Sequence, residues 1–177
     1  MQGRTGIIVM DGARARFIGI QLPDEEALDG GPRLIEHAEL VNPDGDTPAR
    51  GLFSDRSGRA HSSAANAAHG LDDHRERHQA EIDRRFARQV CQDAERFVAE
   101  RQLLRLILVA PPRLLGILRG ELGECFRNIE VVDLNEDHSR QSLRDLHDTL
   151  AARGLVKPPQ RPEAGVYRPR GQAASWR

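Results

Sequence analysis

The chain has 177 residues, of which 38% are apolar, 30% charged and 4% aromatic, and its formal charge is −1. That length suits one domain with a sizeable core, and the scarcity of aromatics argues against a stacking platform for single-stranded nucleic acid. No apolar run approaches the ~18 residues of a membrane span, and IIVM (Ile7–Met10) is too short for a signal-peptide core, so a cytoplasmic location is expected.

IIVM opens the ordered part of the chain. It is followed by Asp11-Gly12 and then by ARFIGI (Ala15–Ile20), two apolar runs around a pair that favours a tight hairpin turn. RLIEHAELV (Arg33–Val41) alternates apolar and polar side chains in part, as a half-buried strand does. These runs predict a three-stranded antiparallel meander. Residues 43–70 then read as a flexible loop, small and polar, with Leu52 and Phe53 its only large apolar residues. Loops beyond ~12 to 15 residues in compact domains are commonly functional or disordered.

A helix is predicted between about Asp72 and Gln102, where Ile82, Phe86, Val90, Ala94 and Val98 recur every four residues, joined by Cys91 and Phe97. Arg77, Glu81, Arg84, Arg85, Arg88 and Glu95 fall on the opposite, solvated face. LRLILVA (Leu104–Ala110) is continuous enough for a strand buried on both faces. Pro111-Pro112 stops it and starts a helix carrying Leu114, Leu115, Leu118 and Leu122. IEVVDL (Ile129–Leu134) predicts the last strand, and Ser142 with Asp145 caps the last helix, buried through Leu143, Leu146 and Leu150.

The expected fold is therefore α/β. Three strands followed by helix, strand, helix, strand and helix give a mixed five-stranded sheet, the order of the ribonuclease H-like architecture. Residues 1–154 form the domain, and residues 155–177, rich in proline and arginine, form a tail expected to be disordered. From Lys157 to Arg177 the tail holds five basic residues against Glu163, so a basic end follows an acidic body.

Candidate chemistry is sparse. Asp11 and Asp133 lie near strand ends, as the acids of a metal-dependent nuclease would, but no third acid is placed with them. His74 and His78 share a helix face at a spacing that binds zinc, yet HRERH matches neither metalloprotease pattern. Cys91 and Cys125 lack CxxC spacing. No GxSxG surrounds the loop serines, and no phosphate-cradling GxxxxGK[ST] or strand-linked GxGxxG occurs. No catalytic residue and no cofactor is assigned.

VMDGARARF (Val9–Phe17), LFSDRSGR (Leu52–Arg59), DRRFARQV (Asp83–Val90) and LVAPPRLLGILR (Leu108–Arg119), in that order, resemble the bacterial host-attachment protein family over about Gly6 to Leu150. That family is similar in turn to the central domain of archaeal and eukaryotic peptide-chain release factors and of Pelota. There, a loop bearing Gly-Gly-Gln precedes a helix that begins with an RFAR-like stretch. Arg85-Phe86-Ala87-Arg88 matches the helix, but the loop here has no Gly-Gly-Gln, and Gln79 follows no glycine pair. The resemblance implies a non-catalytic module that binds the ribosome or another structured RNA. Ser54, Asp55, Arg56, Gly58, Arg59, Arg84, Arg85 and Arg88 are the contact candidates. Two alternatives stand beside it: a protein–protein interaction factor in host attachment or envelope stress, and a divergent peptidyl-tRNA hydrolase or metal-dependent nuclease.

Overall fold

The computed structural model describes residues 4–23, 31–45, 67–123, 126 and 128–159, and of residues 67–75 the backbone alone. Five strands and three helices follow in the expected order. They are β1 (Thr5–Met10), β2 (Arg14–Gln21), β3 (Arg33–Val41), α1 (Ala67–Arg101), β4 (Arg105–Val109), α2 (Pro112–Leu122), β5 (Glu130–Leu134) and α3 (Leu143–Ala152). The sheet order is β3-β2-β1-β4-β5. β1 pairs antiparallel with β2 and parallel with β4, β2 pairs antiparallel with β3, and β4 parallel with β5. The protein is thus α/β with a mixed five-stranded sheet.

Side-chain alternation divides the central strands between two cores. Ile8, Met10, Phe17, Leu106 and Leu108 face α1 and α2, meeting Phe86, Val90, Ala94 and Phe97 of α1 and Leu114 and Leu118 of α2. Ile7, Val9, Ile18, Ile107 and Val109 face the other way, onto Leu146 and Leu150 of α3. Each run reads as continuously apolar because both faces of the sheet are covered. Leu155 and Val156, grouped with the tail on sequence grounds, pack on the second core, and the Lys157 carbonyl receives a hydrogen bond from His147 Nε2 at 2.9 Å.

Arg16 closes the α3 side at its outer edge. It is buried, with its guanidinium bonded to Glu36 of β3 at 2.7 Å and to the carbonyls of Ser139 and Gln141 at 3.3 and 2.8 Å. One side chain therefore joins β2, β3 and the connection from β5 to α3. Ser142 caps α3 as its spacing predicts, its hydroxyl oxygen accepting from the Asp145 N–H at 3.2 Å.

The long helix starts earlier than its apolar stripe. α1 begins at Ala67, so the last four residues of the segment assigned to a loop are helical, and only 46–66 of it lie outside the described residues. Alanine at 67 and 68 favours helix strongly, and the lone Gly70 costs too little to break it. At a rise of 1.5 Å per residue α1 is about 52 Å long, roughly three times the span of a five-residue strand. Its C-terminus leads directly into β4, and the start of α2 meets it at Asp83, so at this length its first turns, before Ile82, extend past the end of the sheet.

Two glycines separate space from crowding. A Cβ at Gly45 would stand 2.4 Å from the Gly12 carbonyl oxygen, whereas one at Gly116, on α2, meets nothing within 4 Å. Gly116→Ala should therefore stabilise the protein by about 0.5–1 kcal/mol through helix propensity. Gly45→Ala should destabilise it by about 1–3 kcal/mol, because backbone must move. Urea denaturation of the two variants checks the opposite signs.

Candidate functional site

The C-terminal ends of β1 and β4 meet the exit of β3 and the middle of α1, and polar side chains gather there. Asp11 Oδ1 accepts hydrogen bonds from the N–H groups of Ala13 and Arg14 at 2.7 and 2.8 Å, which fixes the turn between β1 and β2. Asn42, buried at the end of β3, donates its backbone N–H to the Ala13 carbonyl at 2.7 Å and its side-chain amide to that of Gly12 at 2.8 Å. Its Oδ1 receives the Asp44 N–H at 3.1 Å, and Asp44 pairs with Arg85 of α1 at 3.5 Å. The chain therefore enters segment 46–66 from a point pinned to the first turn and to α1.

The RFAR stretch divides as an amphipathic helix should. Phe86 and Ala87 are buried in the core, while Arg84, Arg85 and Arg88 are exposed. Arg88 pairs with Glu121 of α2 at 3.2 Å, and Arg84 has no ion-pair partner among the described residues. Two of the three arginines expected to be open for phosphate are thus already held by carboxylates. Exposed pairs of this kind are worth ~0–1 kcal/mol, so a phosphate can displace the acid.

Asp83, which reads in sequence as one more charge beside Arg84, is buried instead. Gln79 donates to its Oδ1 at 2.9 Å, and Arg113, from the APPR segment that opens α2, reaches its Oδ2 at 3.3 Å. Gln79, which precedes RFAR, is occupied by this contact. The two most recognisable sequence segments are therefore joined by one ion pair that sets where α2 begins on α1.

The remaining candidates do not converge. Asp133 pairs with Arg119 on the α2 face of β5, while Asp11 is spent on its turn, so they share no site. His78 is exposed, and the side chain of His74 lies outside the described residues. No group of three or more potential metal ligands occurs among the described residues. Ser54, Asp55, Arg56, Gly58 and Arg59 lie outside the described residues, as does the tail from Gln160. No helix among the described residues is long and apolar enough to cross a membrane.

One histidine was missed by sequence reasoning. The β2–β3 register slips between Phe17 and Ile18, which pair with Ala38 and Glu36, so His37 is the extra residue of a β-bulge. The signal lay in the spacing of Leu34 and Leu40. Six residues apart, they should share a face, yet Leu34 packs on the α3 side and Leu40 on the α1 side. His37 points toward Phe97 of α1, ring centroids 6.0 Å apart. Partial burial, and then the nearby Arg101 guanidinium, hold its pKa below the ordinary value.

Two acids of the β5–α3 connection are also shifted. A hydrogen bond from His138 at 2.7 Å, with Arg153 adding to it against some desolvation, lowers Glu136. Burial acts to raise Asp137, but bonds from the backbone N–H and hydroxyl of Ser139 at 3.0 and 2.8 Å outweigh it, so its pKa is lowered too.

These features generate two predictions. Arg113→Ala should cost about 1–3 kcal/mol, since it leaves the buried Asp83 carboxylate without its countercharge, and Asp83→Ala about 1 kcal/mol or less, since the half-exposed Arg113 and the half-buried Gln79 that it frees can reach water. Urea denaturation checks the asymmetry. Because the folded-state pKa of His37 is depressed, the unfolded chain takes up that proton first as the pH falls. Its contribution to stability is intact above the ordinary histidine value of ~6.5 and is lost as the pH drops through the lowered one. Glu136 and Asp137, also depressed, lose theirs in a more acidic window, below their ordinary values near ~4. His37→Gln should therefore flatten the stability profile between neutral and mildly acidic pH and leave the acid limb unchanged, as denaturation midpoints across that range will show.

Comparison with known proteins gives one firm result. No curated protein matches the chain. The model of the family described as "Protein required for attachment to host cells" matches residues 6–150, which takes in β1 from its second residue, β2 to β5, both crossover helices and nearly all of α3. The chain belongs to that family.

Proposed function

We propose that the protein is a non-catalytic, release-factor-like module that binds the ribosome or another structured RNA. Contact is made by the outward arginines of α1 together with the segment that holds Ser54, Asp55, Arg56, Gly58 and Arg59. The observation that carries this reading is adjacency: segment 46–66 departs beside Asp44, which touches Arg85, next to Arg84 and about one turn from Arg88. Arginine guanidinium groups on one exposed helix stripe suit phosphate oxygens, which position a protein on RNA without reading sequence. The strand order β3-β2-β1-β4-β5 supports a ribonuclease H-like relationship and hence the comparison with the release-factor central domain. The absence of Gly-Gly-Gln from the sequence favours docking over peptidyl-tRNA hydrolysis.

The description of the family favours a second reading, in which the same end of the molecule meets a protein partner during attachment to host cells. The two readings differ in their response to salt and nuclease. Under the first, the protein co-sediments with ribosomes at low salt, the association weakens steadily as salt rises, and nuclease treatment abolishes it. The combined change of Arg84, Arg85 and Arg88 to Gln should weaken the association by roughly tenfold or more, given the strength of charged hydrogen bonds. No co-sedimentation at low salt, or an unchanged affinity of the triple variant, would falsify the RNA reading.

A further inference from the structure

α1 and α2 cover the middle of one sheet face and leave its outer part, on β2 and β3, open. A hollow of about 400 Å³ lies there, walled by Gly19 and Ile20 of β2, Ile35 and His37 of β3, and Arg101 and Leu103 at the end of α1. A second hollow of about 280 Å³, against Phe97, shares His37, Glu100 and Arg101 with it. The imidazole of His37 stands where the two meet.

Three local features build this arrangement. The bulge places His37 on the α1 side of the sheet beside Phe97. Gly19 makes room for it, since a Cβ there would come within 2.6 Å of His37 Nε2. Phe97, itself buried, carries the Arg101 guanidinium over its ring at 5.6 Å from the centroid, which sets the direction of an otherwise free side chain. Neither the His37 imidazole nor the Arg101 guanidinium has a hydrogen-bond or ion-pair partner among the described residues. Two donors, one a fixed cation, therefore converge on a hollow that also presents the aliphatic Ile35 and Leu103 and the polar Thr5, Gln21 and Glu100. A concave site in which a few polar groups converge beside apolar wall is a usual form of small-molecule pocket.

We propose that this groove binds a small organic anion, its carboxylate or phosphate held between Arg101 and His37 and its apolar body resting on Ile35 and Leu103. Glu100, at the same mouth, disfavours a second negative charge and offers an acceptor to a donor on the ligand. Asp93 and Arg96, further along the groove, pair with one another at 2.5 Å and leave the anion to Arg101.

Titration of isotope-labelled protein by NMR tests the proposal, with benzoate and phenyl phosphate as probes, benzyl alcohol as the neutral counterpart and inorganic phosphate as an anion without a body. Saturable shifts of the His37 ring and Arg101 side-chain resonances are expected with one or both organic anions, and the tighter binder identifies the head group. Benzyl alcohol and inorganic phosphate, each lacking one half of the recognition, should bind roughly tenfold more weakly or worse. Arg101→Gln should weaken the anion by a similar factor. Gly19→Ala should also do so by pushing the imidazole into the hollow, and the amide spectrum away from the groove reports that both variants fold. The proposal is overturned if neither organic anion gives saturable shifts at His37, if benzyl alcohol binds as tightly as the anions, or if Arg101→Gln binds as tightly as the parent.

Discussion

β1 is the stretch of chain on which everything else is built. All six of its residues are buried, with β2 antiparallel on one side and β4 parallel on the other. A strand so placed has no solvated face, which is why it reads as an unbroken apolar run. Its parallel partner imposes the next requirement, because parallel neighbours cannot be joined by a tight turn and need a long crossover. The chain meets that requirement with α1 before β4 and with α2 before β5, and both lie on the Ile8 and Met10 side. The opposite side is left to the ten-residue α3, helped by Val156 from beyond its end and by Arg16 at the edge.

That division of labour explains the placing of α1. Only its stripe from Ile82 to Phe97 is needed to cover the sheet, and Asp83 with Arg113 marks the level at which α2 meets it. The helix is therefore fastened through its middle and C-terminal half, while the earlier turns run on past the strands. Glu76, Arg77, His78 and Glu81 are exposed there, so changes at these positions leave the core undisturbed. Arg85 and Arg88 stand at the boundary, where each is held lightly by an acid from another element.

Much of the fold was legible because its signals are local. Asp11 declares the first turn, although its carboxylate and not a left-handed Asp-Gly pair holds it, Pro111-Pro112 ends one element and starts another, and Ser142 bonds to Asp145 three residues on. What escaped depends on partners distant in sequence. Asp83 has the composition of a surface residue and is buried only because Arg113 and Gln79 satisfy it. Arg16 alternates correctly for the α3 face, but nothing near it announces Glu36 or the carbonyls of Ser139 and Gln141. The outward direction of Arg84, Arg85 and Arg88 followed from helix periodicity. Their acids did not, because Asp44 and Glu121 arrive from other elements. The bulge at His37 broke the period of β3 by one residue, which in a strand is enough to move every later side chain to the other face.

The two polar surfaces lie toward opposite ends of the core-packed part of α1. Arg85 and Arg101 are separated by about 24 Å of helix, well beyond a Debye length of ~8 Å at physiological salt, so their charges act independently. A connection between them would have to be mechanical. Phe97 supplies the material for one, because the same ring supports Arg101, meets His37 and packs edge-on against Phe17 of β2 at 5.7 Å. Interiors at crystal-like density do not yield around one aromatic ring without moving its neighbours. A ligand that shifted Phe97 would press on the stripe through Ala94, Val90 and Phe86 that orients the arginines. The groove and the helix stripe are chemically separate surfaces built on one helix.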